Sequence, residues 1–123
     1  MIKHIALEID KSDLRNFYVN ILGGKIGKQF VLDREDASEI FNIHRSADIY
    51  YLSLEEVDLE LFVREHPGRS TFHHFCLETG KAKTIYLLAK EKGYWTHVRN
   101  PGDRETYFIR DKNGNTIEMK HSY

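Results

Sequence analysis

The chain has 123 residues, of which 41% are hydrophobic and 30% charged, with a formal net charge of −1. That length suits one compact domain or two half-size modules, and the composition is that of a folded, soluble protein. Acidic and basic residues are interspersed with no basic stripe and no apolar run of membrane-spanning length, which argues against nucleic-acid and membrane partners.

The opening segment Ile2 to Ile9 alternates, with Ile5, Leu7 and Ile9 on one side and His4, Ala6 and Glu8 on the other, as a half-buried strand requires. Asp10 to Asp13 supplies helix-capping residues. Leu14, Phe17, Tyr18 and Ile21 then recur at helical spacing until Gly23-Gly24 stops the helix. Lys25 to Leu32 reads as a strand, whereas Arg34 to His44 fits a short helix or a strand. Ile49 to Leu54 and Val57 to Val63 read as a strand pair joined by a Glu55-Glu56 turn.

His66-Pro67-Gly68-Arg69 has linker composition, and beyond it the order restarts. Thr71 to Glu78 alternates like a strand. Lys81 to Lys92 carries Ile85, Leu88 and Ala89 at helical spacing and closes at Gly93. Trp95 to Arg99 is short and strand-like, and Tyr107 to Arg110 and Thr116 to Lys120 flank the turn signal Asp111-Lys112-Asn113-Gly114.

The two halves match at both ends. His4-Ile-Ala-Leu-Glu8 lies over His74-Phe-Cys-Leu-Glu78, and Leu59-Glu60-Leu61 over Ile117-Glu118-Met119. The sequence thus predicts an α+β fold of two tandem βαβββ modules, about residues 1–64 and 71–123, joined by a linker at about 65–70. In that fold Ile5, Leu7, Leu59, Leu61, Phe75, Leu77, Ile117 and Met119 form the apolar face, and strand alternation puts His4, Glu60, His74 and Glu118 on the opposite one. Such a face is often merely solvated. If the half-sheets curve toward each other, two imidazoles and two carboxylates instead line a cleft suited to a divalent transition metal. Parity also turns Phe62, Phe108 and Arg110 to that side, although ordinary packing or surface roles account for them, and for Arg110 an exposed surface role is the favoured reading. His73 falls on the apolar register with no counterpart at Lys3, so it reads as a strand-end or packing residue. Tyr50 and Tyr51 read as packing residues and Cys76 as a small buried one. As a lone cysteine, Cys76 makes no intrachain disulfide, and together with an N-terminus that lacks a signal-peptide layout it points to the cytoplasm.

The duplicated module, the HIALEID opening and the RDKNGNTIEM ending resemble the vicinal oxygen chelate superfamily, which includes glyoxalase I and shares the glyoxalase/bleomycin resistance/dioxygenase fold. Asp111, Gly114 and Glu118 match its turn and last ligand strand, with Lys112 in the usual proline position and Asn115 where bacterial glyoxalase I often has tyrosine. The resemblance implies a curved mixed sheet around a metal cleft, with His4, Glu60, His74 and Glu118 as ligands of nickel, cobalt, zinc or manganese. It also implies a lactoylglutathione lyase-like carbon–sulfur lyase acting on the hemithioacetal of methylglyoxal and a low-molecular-weight thiol. Glu118 would be the base, with Glu60 as ligand and partner on the other substrate face. Arg15, Arg34 and Arg99 are the arginines available to grip a thiol's carboxylate, and a homodimer is expected. The alternatives are another metalloenzyme of the superfamily, such as an epimerase, or a non-catalytic metal- or ligand-binding member.

Overall fold

The structure, a computed structural model, describes residues 1–55, 57–64, 66 and 68–122. The chain divides into two compact units, Met1–Pro67 and Gly68–Tyr123. Each carries its own four-stranded mixed sheet, and the pair is the tandem βαβββ arrangement anticipated from the repeat.

The first unit comprises β1 (His4–Ile9), a π-helix (Leu14–Val19), β2 (Lys25–Leu32), α1 (Arg34–Phe41), β3 (Ala47–Ser53) and β4 (Asp58–Val63). Its sheet order is β1-β4-β3-β2. β1 runs parallel to β4 and the remaining pairs are antiparallel. Leu52, Leu59, Leu61 and Ile9 are fully buried on one face, together with Phe17 and Tyr18 from the helix. Asp10 opens the helical segment by accepting from the Ser12 N–H and hydroxyl at 2.9 and 2.6 Å.

Where helical spacing predicts an ordinary helix, the turn is wider: the Asn20 and Leu22 N–H groups donate five residues back, to the Arg15 and Phe17 carbonyls. The widened turn accompanies the burial of two adjacent aromatic rings, Phe17 and Tyr18, in edge contact at 4.9 Å. Gly24 is required where this helix meets the sheet. A Cβ there would stand 2.6 Å from Leu52 Cδ2 and 2.9 Å from the Tyr18 carbonyl.

The ambiguous Arg34 to His44 stretch resolves as helix over Arg34–Phe41. Asp33 caps it by accepting the Asp36 N–H at 2.8 Å, Glu35 and Asp36 sit in its first turn, and Asn42 ends it in the left-handed conformation. Leu54 N–H donates to the Val57 carbonyl between β3 and β4. The Glu55-Glu56 turn expected there falls partly on Glu56, which lies outside the described residues.

The second unit comprises β5 (His74–Glu78), α2 (Ala82–Glu91), β6 (Trp95–Arg99), β7 (Thr106–Arg110) and β8 (Thr116–Lys120), ordered β5-β8-β7-β6. α2 buries Ala82, Ile85 and Ala89 at helical spacing, and Tyr86 meets Tyr107 of β7 with ring centroids 5.1 Å apart. Ile109, Ile117 and Met119 complete this core. The β7–β8 turn is organised by the buried Asp111, whose carboxylate accepts from the Asn113 and Asn115 N–H groups and from the Asn115 side-chain amide at 3.0, 2.8 and 2.8 Å. Asn115 therefore serves the turn itself. The segment of linker composition is partly structural: a Cβ at Gly68 would run into the Asn113 carbonyl, and one at Gly114 would stand 2.7 Å from the Arg69 carbonyl. Glu65 and Pro67 of that linker lie outside the described residues.

Candidate functional site

Strand register decides which side chains share a face. In the first unit Ala6 pairs with Glu60 across the parallel β1–β4 ladder, and Tyr51 pairs with Glu60 across β3–β4. In the second unit Cys76 and Phe108 hold the same two positions around Glu118. Each histidine precedes the glutamate's strand partner by two residues, hence on the same face. His4 Nε2 stands 3.5 Å from Glu60 Oε1, and His74 Nε2 stands 3.3 Å from Glu118 Oε1. The two pairs are the same device built twice.

The local chemistry fits metal ligation. Two ligand atoms each about 2.1 Å from a shared ion lie about 3.0–3.4 Å apart at angles between octahedral and tetrahedral, close to both observed separations. The His74 ring also places Nδ1 3.0 Å from the Phe72 carbonyl. Donation from Nδ1 to that carbonyl leaves the Nε2 lone pair toward Glu118, which is the tautomer a metal-ligating histidine needs. Among the described residues no group of three or more histidine, cysteine, aspartate or glutamate side chains gathers at metal-holding distance. Each unit therefore holds one His–Glu pair.

Histidine 73 does not join the pair. It precedes β5 at the strand end, is exposed, and its N–H donates to Thr71 Oγ1 at 3.1 Å.

One reading of a neighbouring residue is corrected, and one is sharpened. Tyr51 packs, as expected, with its ring edge-on to His4 at 6.4 Å and tilted against Phe30 at 5.6 Å, and it does so on the Glu60 face. Interaction of its phenol with the Glu60 carboxylate, then partial burial and the charge of Asp58, raise it above its ordinary range. Cys76 is exposed, not buried, and is a free thiol. Desolvation by the atoms around its sulfur and then the Glu118 charge push the thiol upward, so it stays protonated at neutral pH and is no nucleophile.

Sequence reasoning undervalued the outer part of the Glu118 face. Arg110 lies over the Trp95 ring, 3.9 Å from its centroid, and donates through Nε to Thr116 Oγ1 at 3.0 Å. His97 stacks on Trp95 at 6.1 Å and contacts Phe108 at the same distance. The signal was the strand parity of Trp95 and His97, which matches that of Phe108 across β6–β7. Lys120 adds a cation 3.7 Å from Glu118 Oε2. Of the three candidate thiol-gripping arginines, Arg15 and Arg34 are exposed on helices of the first unit, while Arg99 pairs with Thr106 at the outer edge of the Glu118 face.

Residues 2–119 match the family model described as the Glyoxalase/Bleomycin resistance protein/Dioxygenase superfamily. A glyoxalase family protein from Enterococcus faecalis superposes with a TM-score of 0.73 at 19% identity, covering 98% of this chain and 96% of that one. The fosfomycin resistance protein FosX from Listeria monocytogenes superposes with a TM-score of 0.73 at 11% identity, covering 98% and 91%. A mutant of that protein complexed with Mn(II) and 1S,2S-dihydroxypropylphosphonic acid gives 0.72 at 12%, covering 100% and 93%. No curated protein matches the chain at a significant level. None of the described helices is long and apolar enough to cross a membrane.

Proposed function

Since the chain belongs to the glyoxalase/bleomycin resistance protein/dioxygenase superfamily, we propose that it is a metal-dependent lyase of the glyoxalase I type. The substrate is the hemithioacetal of a 2-oxoaldehyde and a low-molecular-weight thiol, and the product is a 2-hydroxyacyl thioester. One observation carries this reading: a His–Glu pair recurs at the same register in both units, with N···O separations of 3.5 and 3.3 Å.

In this reading His4, Glu60, His74 and Glu118 hold one divalent ion, drawn from one chain or shared across a homodimer. Nickel, cobalt, zinc and manganese all suit imidazole and carboxylate ligands. Two neutral imidazoles and two carboxylates leave the bound site with a formal charge near zero. The ion supplies Lewis acidity at the substrate carbonyl.

The protein's own groups move the proton. A carboxylate takes the proton from the carbon bearing sulfur and oxygen and returns it to the neighbouring carbon, so the isomerisation needs no oxidant or reductant. We assign this to Glu118. A tyrosine, Tyr51, stands across the ladder from Glu60, whereas the equivalent residue beside Glu118 is Phe108, which has no hydroxyl. Glu118 is also the less buried of the two carboxylates, its side chain 18% exposed against 12% for Glu60, which suits the one that meets the substrate. Glu60 then serves as ligand and faces the other side of the substrate. The exposed free cysteine supports a reducing, cytoplasmic setting.

Two measurements test the reading. Protein purified without chelators binds about one equivalent of divalent metal per site, and Glu60→Gln lowers uptake; metal below about 0.1 equivalent with no effect of Glu60→Gln overturns the ligand set. Methylglyoxal is then offered with a panel of thiols, glutathione among them, under each metal, with fosfomycin as a control substrate. Thioester formation is expected. Its absence with every thiol and metal rejects the lyase, and loss of fosfomycin instead would assign the site to another reaction of the superfamily. Light scattering at micromolar concentration should give the mass of a dimer, and a monomer would remove sharing between chains.

A further inference from the structure

The face that carries His4 and Glu60 does not end at Glu60. Two register pairs further along the β1–β4 ladder, at Glu8 and Phe62, α1 covers the sheet over a pocket of about 140 Å³. Ala6, Ala37 and Ala47 line it, with Phe41 and Phe62 among its walls, their rings in edge contact at 5.8 Å. Ala6 is the residue paired with Glu60, and Phe62 is the next side chain after Glu60 on the same face. Same-face neighbours on a strand are about 7 Å apart, so the pocket begins one such step from the Glu60 carboxylate.

We infer that this pocket is the subsite for an apolar, ring-sized substituent of the substrate, and the inference rests on the proposed reading of His4 and Glu60. The volume is close to that of a cavity of about 150 Å³ that takes up benzene. Three alanines from β1, α1 and β3 create the space, because a larger side chain at any of them would fill it. The lining is chiefly apolar, and Glu8, one of its charged members, is engaged by Arg64 at 2.7 Å. A substrate reacting beside Glu60 would therefore direct its carbon substituent under α1. The preferred substrate class is a 2-oxoaldehyde, or a related 2-oxo compound, bearing an aryl or similarly bulky apolar group in place of methyl.

The test is a binding measurement independent of turnover. Alanine-methyl NMR spectra of the intact protein are recorded during titration with phenylglyoxylate and, separately, with pyruvate. Phenylglyoxylate is expected to shift the Ala6, Ala37 and Ala47 methyl signals saturably and to bind at least about tenfold more tightly than pyruvate. Ala37→Leu, which fills the pocket, should abolish the preference. Phe41→Ala, which removes an exposed wall residue and spares the fold, should weaken phenylglyoxylate selectively. Equal binding of the two acids, or a preference that survives both substitutions, overturns the subsite. If the methyl signals respond as expected while no thiol yields a thioester, the lyase reading falls and the subsite stands. If methylglyoxal turns over but the methyl signals ignore the aryl acid, the subsite falls and the lyase stands.

Discussion

The two units repeat one plan with different contents. Sheet order, the parallel pairing of first and last strands, and the position of histidine against glutamate are the same in both. The residue opposite the glutamate is Tyr51 in one and Phe108 in the other, and among the described residues only the first unit lays a helix over the polar face beyond it. The corresponding stretch of the second unit is open, with Trp95, His97 and Arg110 stacked along it. A shared register supplies a His–Glu pair in each unit, and the surroundings differ: Glu60 stands beside a tyrosine and an apolar pocket, Glu118 beside a cationic, aromatic surface.

The largest expected effect separates the two glutamates. Glu118→Gln should lower kcat by about 10²–10⁴-fold, the range for loss of a general base, and leave most of the metal bound. Glu60→Gln should lower metal occupancy first, with activity partly restored by added metal. Steady-state kinetics alongside metal analysis read both, and equal effects on both quantities would erase the distinction between the units.

Next in size are lesions at matching core positions. Leu61→Ala and Met119→Ala each remove a fully buried side chain and should cost about 2–5 kcal/mol. Trp95, the single tryptophan, reports on the second unit. Because each unit is short for an independent core, both substitutions should shift its fluorescence transition in guanidinium. A shift with Met119→Ala alone would show that the units unfold separately.

Tyr51→Phe makes the first unit resemble the second. The wild-type phenol, raised by its interaction with the Glu60 carboxylate, should titrate above the usual value of about 10, and the variant should lose that late absorbance step at 295 nm. The sign follows from linkage: a raised folded-state value contributes stability below the unfolded phenol's pKa that is lost as pH rises through the folded one. Glu60 should also become easier to displace, seen as faster metal exchange.

The smallest effect lies in the second unit's Asn100 to Glu105 loop. Glu105 accepts from the Tyr107 hydroxyl at 2.6 Å and the Gly102 N–H at 3.1 Å, which hold its carboxyl below the usual range. Its contribution is present above the unfolded value of about 4.3 and fades as pH falls through the lower folded one. Glu105→Gln should therefore flatten the acid limb of the melting-temperature profile between those values, with little change at pH 7.

Much of the architecture was legible in particular residues. Alternation in HIALEID and HFCLE marked the first strand of each unit, and Asp111 with Gly114 marked the last hairpin. The cap of α1 was also written in the sequence, since Asp33 precedes the acidic first turn of Glu35 and Asp36. Ile40, Phe41 and Ile43 obscured it, because they suit a strand equally well and are exposed in the structure.

Other features had no local signature. The wide turn at Leu14–Val19 keeps a helical spacing of apolar residues, so periodicity alone cannot tell it from an α-helix. Tyr51 and Tyr50 are adjacent tyrosines, and only pairing with β4 shows which one meets Glu60.

By itself the sequence determined the duplication, the alternating faces, and the choice of His74 over His73, because these follow from the two-residue period of a strand and the comparison of two copies. Tertiary structure decided what stands next to each histidine and glutamate. Cross-strand register brings together residues far apart in the chain, Ala6 with Glu60 and Cys76 with Glu118, and it also sets Tyr51 opposite Glu60, seats Arg110 on Trp95 and leaves an alanine-lined space beneath α1.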